Sequence, residues 1–558
     1  MNAIIMILLL TFLCSIPLGI WCKKVMNRDI PWINKVEDWI LDRLKISAGE
    51  MGWKKYLAGI AALSILSFVV LFGMLIASRM DLPMAFNTAV SYITNTNWQS
   101  FNPMLEGNWI VQILGFGVQN FISAAIGICV LFALIRGLIA KQKSSLGNLW
   151  QDLIGSLLFI LLPVNLVGSI ILAGQGVPMQ MQSYETSALI EPIAVDEKGL
   201  PIENAQVIED QVFVDGKEMK EARIIKEQVV PMGMMASIES IKQSGTNGGG
   251  LSSSNSASPF ENPTGLSNAI ETGLILLIPM SLCFSFGAMV KNKKQGLAFF
   301  ASMAILFGLA LIFILQSEMA AASLEGKEVR IGLMPSALWS ASTTAASSGS
   351  SNMAMNSMSS IASLVCMVLM QVGEVIFGGV GSGLYGLLAF VILSVFIAGL
   401  MVGRTPEFMG KKIEPFEMKW AVILCLVSPV CILIGSALGC IYAPEGLNMG
   451  AHGFSQILYA YTSMGSNNGS AMAGFESSQT LLLVAGGIMM LLARFIPIAG
   501  ALAMGSSLGS KKISAQSAGS LKSDTPMFVF LLVLVILLVG ALSYFPALSL
   551  GPIAEFFG

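Results

Sequence analysis

Long apolar runs without a charge constrain this chain more than any other feature. The run MFVFLLVLVILLVGALSYFPALSL, Met527–Leu550, is one of several. About 20 apolar residues suffice to cross a bilayer as a helix. Only 11% of the 558 residues are charged, less than half of the roughly 25% typical of soluble chains. The sequence therefore predicts an all-α, polytopic membrane protein.

The apolar windows place the predicted membrane spans. The stretch FGGVGSGLYG, 377–386, interrupts the region 355–403, which we interpret as one span broken by an intramembrane loop. With that interpretation the chain has about ten transmembrane helices, near 3–21, 56–78, 109–137, 146–175, 262–290, 297–316, 355–403, 418–442, 478–507 and 527–550.

Lysine and arginine predict the orientation of these spans. Five connecting segments, namely 23–55, 136–143, 291–294, 404–419 and 511–522, hold 21 of the 31 basic residues. All five fall on one side of a ten-span chain, and the positive-inside rule makes that side cytoplasmic. The N-terminus is then expected outside, and the acidic segment 176–231 is expected to be an external solvated loop with a small hairpin.

Four short polar stretches recur in the same setting. Each follows about a dozen residues that could form a helix too short to cross a bilayer, and each lies between two apolar runs on the predicted external side. They read TNTNWQ (94–99), GTNGGG (245–250), SSGSSN (347–352) and SNNGSA (466–471). The sequence thus predicts four span–pore-helix–span repeats around a pseudo-fourfold pore.

The physics of the membrane limits what such a repeat can be. Irregular backbone at membrane depth must be buried in protein or line a wet cavity. A ring of backbone carbonyls can replace the water around an alkali cation, and Gly248, Gly349 and Gly469 would leave room for it. The four stretches contain no acidic residue, which favours potassium over divalent cations; the pattern alone leaves sodium open.

These stretches, together with ENPT, GEVIFGGVGSGLYG, AGLMVGRTPE, GKKIE and HGFSQILYA, resemble the potassium-binding A subunit of the bacterial Kdp potassium-transporting P-type ATPase. The resemblance extends over nearly the whole chain. It implies that the chain selects external potassium and passes it to a P-type ATPase catalytic subunit, in a complex completed by two small membrane subunits in the bacterial inner membrane.

The resemblance also implies which residues form the potassium filter. Ser348 stands where the family often has a cysteine. The implied filter residues are Asn95, Thr96, Asn97 and Gln99; Thr246, Asn247 and Gly248; Ser347, Ser348 and Gly349; and Asn467, Asn468 and Gly469.

Charged and glycine residues inside the predicted spans give a second set of candidates. Glu374 is expected either to attract the ion below the filter or to pin the broken span by pairing with a donor. Arg494 is expected to pair with Glu374, or to repel ions from a wrong path. The glycine-rich loop 377–386 resembles a gate beneath the filter, with Gly378, Gly379, Gly381 and Gly383 among its glycines. A plain interhelical turn is the alternative.

The sequence predicts no specific functional role for most of the other charged residues near the spans. Lys242 is expected to be solvated, and Asp152 and Glu271 are expected near membrane ends without a role. Lys511 and Lys512 are expected to anchor the cytoplasmic end of a span, or else to contact the ATPase partner.

An enzymatic function is not expected. The chain has one histidine, no zinc spacing among its eight cysteines, and neither a DKTGT nor a GxxxxGK[ST] motif. Potassium is the expected substrate and no cofactor is expected. Membrane lipids, but no nucleic acid, are expected to contact it. A gradient-driven or channel-like potassium uptake protein remains the alternative.

The repeats suggest a division of the chain into six parts. These are an N-terminal span and basic loop (1–50), repeat 1 (51–140), repeat 2 with its external loop 176–231 (141–292), repeat 3 (293–404), repeat 4 (405–510), and a cytoplasmic link with the C-terminal span (511–558).

Overall fold

The computed structural model describes residues 2–558 except 101–108, 183, 197–198, 209–210, 215, 220–221, 253, 402, 404, 445, 476–478 and 514–521. In this described part, ten helices are long and apolar enough to cross a membrane. They are α1 (Asn2–Met26), α3 (Trp53–Ala77), α5 (Val111–Ile139), α6 (Leu149–Gly174), α8 (Gly265–Met289), α9 (Lys293–Ala321), α12 (Ser382–Met401), α13 (Pro415–Ile441), α15 (Thr480–Ser510) and α16 (Pro526–Phe557). The predicted number of spans and the all-α membrane fold are confirmed.

Six shorter helices complete the helical part. Four of them end at the polar stretches: α4 (Leu82–Ile93), α7 (Met235–Ser244), α10 (Leu333–Ala345) and α14 (Gly450–Gly465). The other two are α2 (Pro31–Leu44) and α11 (Ser360–Gln371). The 12 residues of α11 rise only about 18 Å, so α11 and α12 form the expected broken span. The break lies at residues 372–381, five residues before the predicted 377–386, because α12 already begins at Ser382.

Local signals in the sequence explain where several spans begin. The side chain of Asn148 caps α6 by accepting from the N–H of Trp150 at 2.9 Å. Thr264 and Ser267 form a capping box at the start of α8, and Pro526 follows the capping Thr525 at the start of α16. The side chains of the capping residues accept hydrogen bonds from the first N–H groups of a helix. Proline has no N–H group, so it leaves none unpaired at this position.

The helices form an inner and an outer set. In the most apolar 18-residue window, α5 and α8 bury 83% and 78% of their residues, whereas α1 and α3 bury 22% and 28%. Small residues allow close helix packing: a Cβ built on Gly137 of α5 would lie 2.1 Å from the Gly505 carbonyl oxygen of α15. The outer helices expose leucine, isoleucine and valine as a lipid-facing surface requires.

The segment after α6 is more elaborate than the predicted hairpin. β1 (Tyr184–Val195) pairs antiparallel with β5 (Arg223–Pro231), and β2 (Ala205–Ile208), β3 (Gln211–Val214) and β4 (Lys217–Glu218) form a separate antiparallel sheet. Asp215, which follows β3 in the sequence VDG, lies outside the described residues. Two more short strands, β6 (Glu407–Phe408) and β7 (Lys411–Lys412), pair between α12 and α13.

Candidate functional site

The four short helices end in the same way. We name the stretches that follow them loop 1 (94–99), loop 2 (245–250), loop 3 (347–352) and loop 4 (466–471). In each, an N–H just beyond the helix end bonds back to a carbonyl five residues earlier, the 6→1 bond of a Schellman motif. These bonds are Thr96 N to Ser91 O at 2.9 Å, Asn247 N to Lys242 O at 2.9 Å, Ser348 N to Thr343 O at 3.0 Å and Asn468 N to Ser463 O at 2.8 Å.

The backbone then repeats one conformation in all four loops. We name the residue with positive φ that follows each helix end the first position, and the next two residues the second and third positions. The first and third positions have positive φ in every loop, and the second does not. The angles are 60° and 52° at Asn95 and Asn97, 48° and 85° at Thr246 and Gly248, 54° and 82° at Ser347 and Gly349, and 55° and 101° at Asn467 and Gly469.

This conformation is strained at most of these positions. A left-handed residue other than glycine costs roughly 1–2 kcal/mol, and a β-branched residue such as Thr246 is a clear outlier there. Such strain persists only where the surroundings enforce it, and it clusters at functional sites. Five non-glycine residues adopt this strained conformation at equivalent positions of the four loops.

Glycines at the third positions bring the loops together as a ring. A Cβ built on Gly248 would lie 1.6 Å from the Ser348 carbonyl oxygen, one on Gly349 would lie 2.2 Å from that of Asn468, and one on Gly469 would lie 1.9 Å from that of Thr96. Each third-position glycine therefore meets the second-position carbonyl of the next loop, in the order 2–3, 3–4 and 4–1. No larger residue fits these places without moving a carbonyl.

Loop 1 departs from this rule. Its third position is Asn97, whose Cβ would lie 2.8 Å from a Cβ built on Gly249 of loop 2, and whose side-chain amide donates to Asn120 Oδ1 at 2.7 Å. Gln99 follows in loop 1, and its amide donates to Tyr92 Oη at 2.8 Å and to the Gly250 carbonyl at 3.0 Å. The 1–2 contact thus uses side chains where the other contacts use glycine.

Side chains of neighbouring loops brace the ring. Asn95 donates to the Thr246 carbonyl at 2.8 Å, and its own side-chain oxygen accepts from the amide of Asn247 at 2.6 Å. The Ser347 hydroxyl lies 2.9 Å from the Asn467 carbonyl oxygen. These contacts satisfy polar groups that are almost wholly buried, as buried polar groups require.

One cavity joins the loops at one end. A cavity of about 690 Å³ is lined by Asn97, Gly248, Gly349 and Gly469, the third positions of all four loops, and by Gln99. Since each short helix ends at its loop, the partly negative C-terminal poles of four helices approach this ring. The cavity and the four helix poles together favour the binding of a cation at this ring.

The glycine-rich segment 372–381 packs against the opposite end of the ring. The Val380 N–H donates to Thr246 Oγ1 at 3.0 Å, and a Cβ built on Gly379 would lie 3.4 Å from that of Ser347. A Cβ on Gly378 would lie 1.5 Å from the Glu374 carbonyl oxygen, one on Gly381 2.0 Å from that of Gly127, and one on Gly383 2.5 Å from the Gly378 Cα. The glycines therefore allow the segment to fold tightly beneath the first positions.

Glu374 contacts the ring directly. It is 6% exposed, has a φ of 57°, and accepts from the hydroxyl of Ser347. Glu374 and Arg494 line the same cavity of about 40 Å³. Both residues are described, and no ion pair within 4.0 Å joins them, so the expected direct pairing of Arg494 with Glu374 is wrong.

Two charged sites differ from the sequence interpretation. Lys242 is fully buried rather than solvated and pairs with Glu239 at 2.6 Å and with Glu261 at 2.9 Å. Glu271, also fully buried, accepts from the side-chain amide of Gln243 at 3.0 Å. Glu239 and Lys242 are one helical turn apart, and this spacing in the sequence could have indicated their pairing.

The structure also corrects the interpretation of Asp152, for which no role was expected. Its carboxylate is buried and pairs with both terminal nitrogens of Arg136, at 2.6 and 2.7 Å, while also accepting from Tyr56 Oη at 2.7 Å. The pair joins α5 to α6, and Arg136 also donates to the Met26 carbonyl at the end of α1 at 2.8 Å. Asp152 therefore has a structural role in the assembly of four spans, because Tyr56 belongs to α3.

Comparisons with known proteins identify the family of the chain. Residues 5–557 match the family described as Potassium-transporting ATPase A subunit. Proteins named potassium-transporting ATPase potassium-binding subunit are similar to the chain over almost its full length. That of Clostridium botulinum is 44% identical, covering 99% of this chain and 97% of the relative, and that of Desulfovibrio desulfuricans is 46% identical, covering 97% and 96%.

A solved structure shares the fold. The potassium transporter TrkH from Vibrio parahaemolyticus superposes with a TM-score of 0.52, at 13% identity, over 80% of this chain and 84% of its own. The family match covers nearly every residue, and the relatives far exceed the similarity that unrelated proteins show. This chain belongs to the family of potassium-transporting ATPase A subunits.

Proposed function

We propose that this chain is the potassium-selective, ion-binding and translocating subunit of an ATP-driven potassium uptake complex. It takes potassium from the external side at a backbone-carbonyl filter formed by loops 1–4. It then passes the ion to a P-type ATPase partner. In this proposal the chain itself hydrolyses no ATP and needs no cofactor besides its substrate ion.

The repeated loop conformation is the observation that carries the proposal. Alternating right- and left-handed residues turn successive N–H groups to one face of the chain, and hence the carbonyl groups to the other. Positive φ at the first and third positions of all four loops gives each the same alternation. Four such strands in a ring supply stacked rings of carbonyl oxygens, which can replace the hydration shell of a cation.

The loops favour potassium as the ion. Divalent cations usually recruit carboxylates, and the loops contain none. The carboxylate of Glu374 contacts the inner end of the ring through Ser347. There it would offset the charge of an ion leaving the filter, while the segment 372–381 would gate its path and Arg494 would set the charge of the small cavity beyond.

The energy source must lie outside the chain. The sequence has no aspartyl-phosphate or P-loop motif, whereas the relatives are named as subunits of an ATPase. We therefore assign ATP hydrolysis to a P-type ATPase catalytic subunit, in a complex with two small membrane subunits. The complex lies in the bacterial inner membrane, with the N-terminus of this chain outside.

Ion-stimulated ATP hydrolysis tests the proposal. The chain is expressed with its ATPase partner subunits, and the purified complex is titrated with potassium, rubidium and sodium. We expect potassium to stimulate hydrolysis at the lowest concentration and sodium not to stimulate it. Potassium uptake into proteoliposomes that continues without ATP would instead support the gradient-driven alternative.

A further inference from the structure

Repeat 2 carries a buried charge at a place where the other repeats carry a hydroxyl. The residue whose carbonyl accepts the Schellman bond is Ser91 before loop 1, Thr343 before loop 3 and Ser463 before loop 4, but Lys242 before loop 2. The Ser91 hydroxyl donates to the Trp98 carbonyl at 3.1 Å, and the Ser463 hydroxyl accepts from the Gly469 N–H at 2.9 Å. In repeats 1 and 4, therefore, the side chain at this position supports its loop from behind, whereas the Thr343 hydroxyl of repeat 3 makes no such bond.

The ammonium of Lys242 reaches a different set of partners. It is fully buried and lies 2.6 Å from Glu239, 2.9 Å from Glu261, 2.8 Å from Asn255 Oδ1 and 2.9 Å from Ser256 Oγ. A buried ammonium is stable only when charge pairing and hydrogen bonds replace its hydration. These four oxygens supply both.

Asn255 connects this ammonium to loop 2. While its side-chain oxygen accepts from Lys242, its side-chain amide donates to the Gly248 carbonyl oxygen at 2.8 Å. Lys242 therefore fixes the orientation of an amide that in turn holds a third-position carbonyl. This carbonyl belongs to the ring at the cavity end, where an arriving ion would first be stripped of water.

Glu261 holds the other end of the same segment. Its Oε2 pairs with Lys242, and its Oε1 accepts from the N–H groups of Leu251 and Ser252 at 2.9 and 2.6 Å. The Lys242–Glu261 pair thus fixes the chain directly after Gly248 from two directions. Since hydroxyls suffice at this position in repeats 1 and 4, a four-partner ammonium exceeds what closing a helix end requires.

We infer that Lys242 and Glu261, acting through Asn255, are positioning residues that set the Gly248 carbonyl and thereby the ion discrimination of loop 2. The inference rests on the proposed function. A carbonyl oxygen that accepts from Asn255 has one lone pair committed, so its position and its share in ion coordination depend on that amide. Loop 2 then differs electrostatically from the other three loops.

The test compares variants in the assembled ATPase complex. Asn255→Gly removes the connecting amide at a residue whose φ of 52° glycine adopts freely, and the half-exposed position makes misfolding a small risk. Asn204→Gly is the matched control, because Asn204 is exposed, has a similar φ of 55° and lies between β1 and β2, outside loop 2 and the Lys242 cluster. The readouts are the KM and kcat of potassium-stimulated ATP hydrolysis and the potassium-to-rubidium KM ratio.

We expect Asn255→Gly to raise the potassium KM about tenfold, the order expected for loss of one hydrogen bond. It should also change the rubidium ratio, with kcat within twofold of wild type. Asn204→Gly should leave both the potassium KM and the ratio within twofold. Lys242→Met should raise KM similarly, and the double variant Lys242→Met/Asn255→Gly should be no worse than Asn255→Gly alone.

Two results would overturn the inference: an unchanged KM and ion ratio in Asn255→Gly, or additive effects in the double variant. If Lys242→Met does not assemble, the comparison of Asn255→Gly with Asn204→Gly decides. If potassium failed to stimulate ATP hydrolysis by the wild-type complex, the proposed function itself would be contradicted. This outcome is distinguishable from the two results above, which concern only the variants.

Discussion

The side-chain amide of Asn467 lies 2.9 Å from the Thr96 hydroxyl, although 371 residues separate the two in the chain. The same two loops meet at Gly469, where a Cβ would lie 1.9 Å from the Thr96 carbonyl oxygen. This contact closes loop 4 onto loop 1 and turns four sequential repeats into a ring. A change at this junction should therefore affect the whole site.

Replacement of Gly469 by alanine tests whether the ring binds the ion. The new Cβ would displace the Thr96 carbonyl, and we expect the KM for potassium-stimulated ATP hydrolysis to rise at least tenfold, with weaker discrimination against sodium. Gly176→Ala is the matched control, because Gly176 has the same φ of 101° but nothing within 4 Å of its Cβ position. Both variants carry the backbone strain, roughly 1–2 kcal/mol, and only one disturbs the ring.

Equal KM values for these two variants and wild type would contradict the filter assignment. Gly248→Asp extends the test, because it places a carboxylate where the Ser348 carbonyl now lies. We expect lower potassium affinity and altered sodium discrimination, measured by the same titrations.

Glu374→Gln separates the charge of this residue from its hydrogen bond. Glutamine can still accept from Ser347, but it no longer attracts a cation at the inner end of the ring. We expect the potassium KM to rise at least fivefold, equivalent to roughly 1 kcal/mol, with little change in the thermal unfolding midpoint of the complex. A lower unfolding midpoint with an unchanged KM would show that the carboxylate only holds the segment 372–381 in place.

Asp152→Asn should destabilise the protein without a specific effect on ion selectivity. It leaves Arg136, whose side chain is 20% exposed, without its carboxylate. Because removal of one member of a fully buried pair typically costs 3–5 kcal/mol, we expect a loss near the lower end of this range. Glu50→Gln is the control: Glu50 pairs with Lys143, and both side chains are more than half exposed, so its loss should cost less than about 1 kcal/mol. Thermal unfolding in detergent measures both; similar midpoints for the two variants would refute the assigned role of Asp152.

Glu37 in α2 predicts a pH dependence of stability. α2 lies between two spans and is not itself one, and burial raises the pKa of Glu37 from 4.5 to about 7, although Arg28 opposes this. The folded protein therefore binds more protons than the unfolded chain between these pH values, so this group lowers stability as pH rises from about 4.5 through 7.

We expect Glu37→Gln to unfold at a higher temperature than wild type at pH 8 and near the wild-type temperature at pH 5. The relative gain between these pH values should be roughly 1–3 kcal/mol, measured by thermal unfolding at both. A difference that does not change with pH would show that Glu37 is ionised in the folded state throughout.

The sequence predicted the helical elements because their signals are local. About a dozen helical residues are predicted before each loop, and the structure has 12 before loop 1, Leu82–Ile93, and 16 before loop 4, Gly450–Gly465. Apolar length and polar loop composition are read along the chain, without knowledge of neighbours. The segment 184–231 was predicted less well, because which of several short strands pair is a non-local choice.

Charged residues show the limit of such reasoning. Lysine and aspartate are residue types that usually lie at the surface. Lys242 and Asp152 can be buried only because folding brings them a partner of opposite charge. These partners are Glu261, 19 residues away, and Arg136, from the preceding span. The absent Glu374–Arg494 pair shows the converse, because two opposite charges in adjacent buried segments need not meet.

The sequence by itself determined that the chain crosses the membrane about ten times and carries four equivalent half-helices ending in polar loops, since hydrophobic length and residue composition are properties of each segment alone. Only the tertiary structure decided which carbonyl meets which glycine, which loop Lys242 braces through Asn255, and where Glu374 touches the ring. Those contacts join residues as much as 371 positions apart, and their geometry depends on how the spans pack.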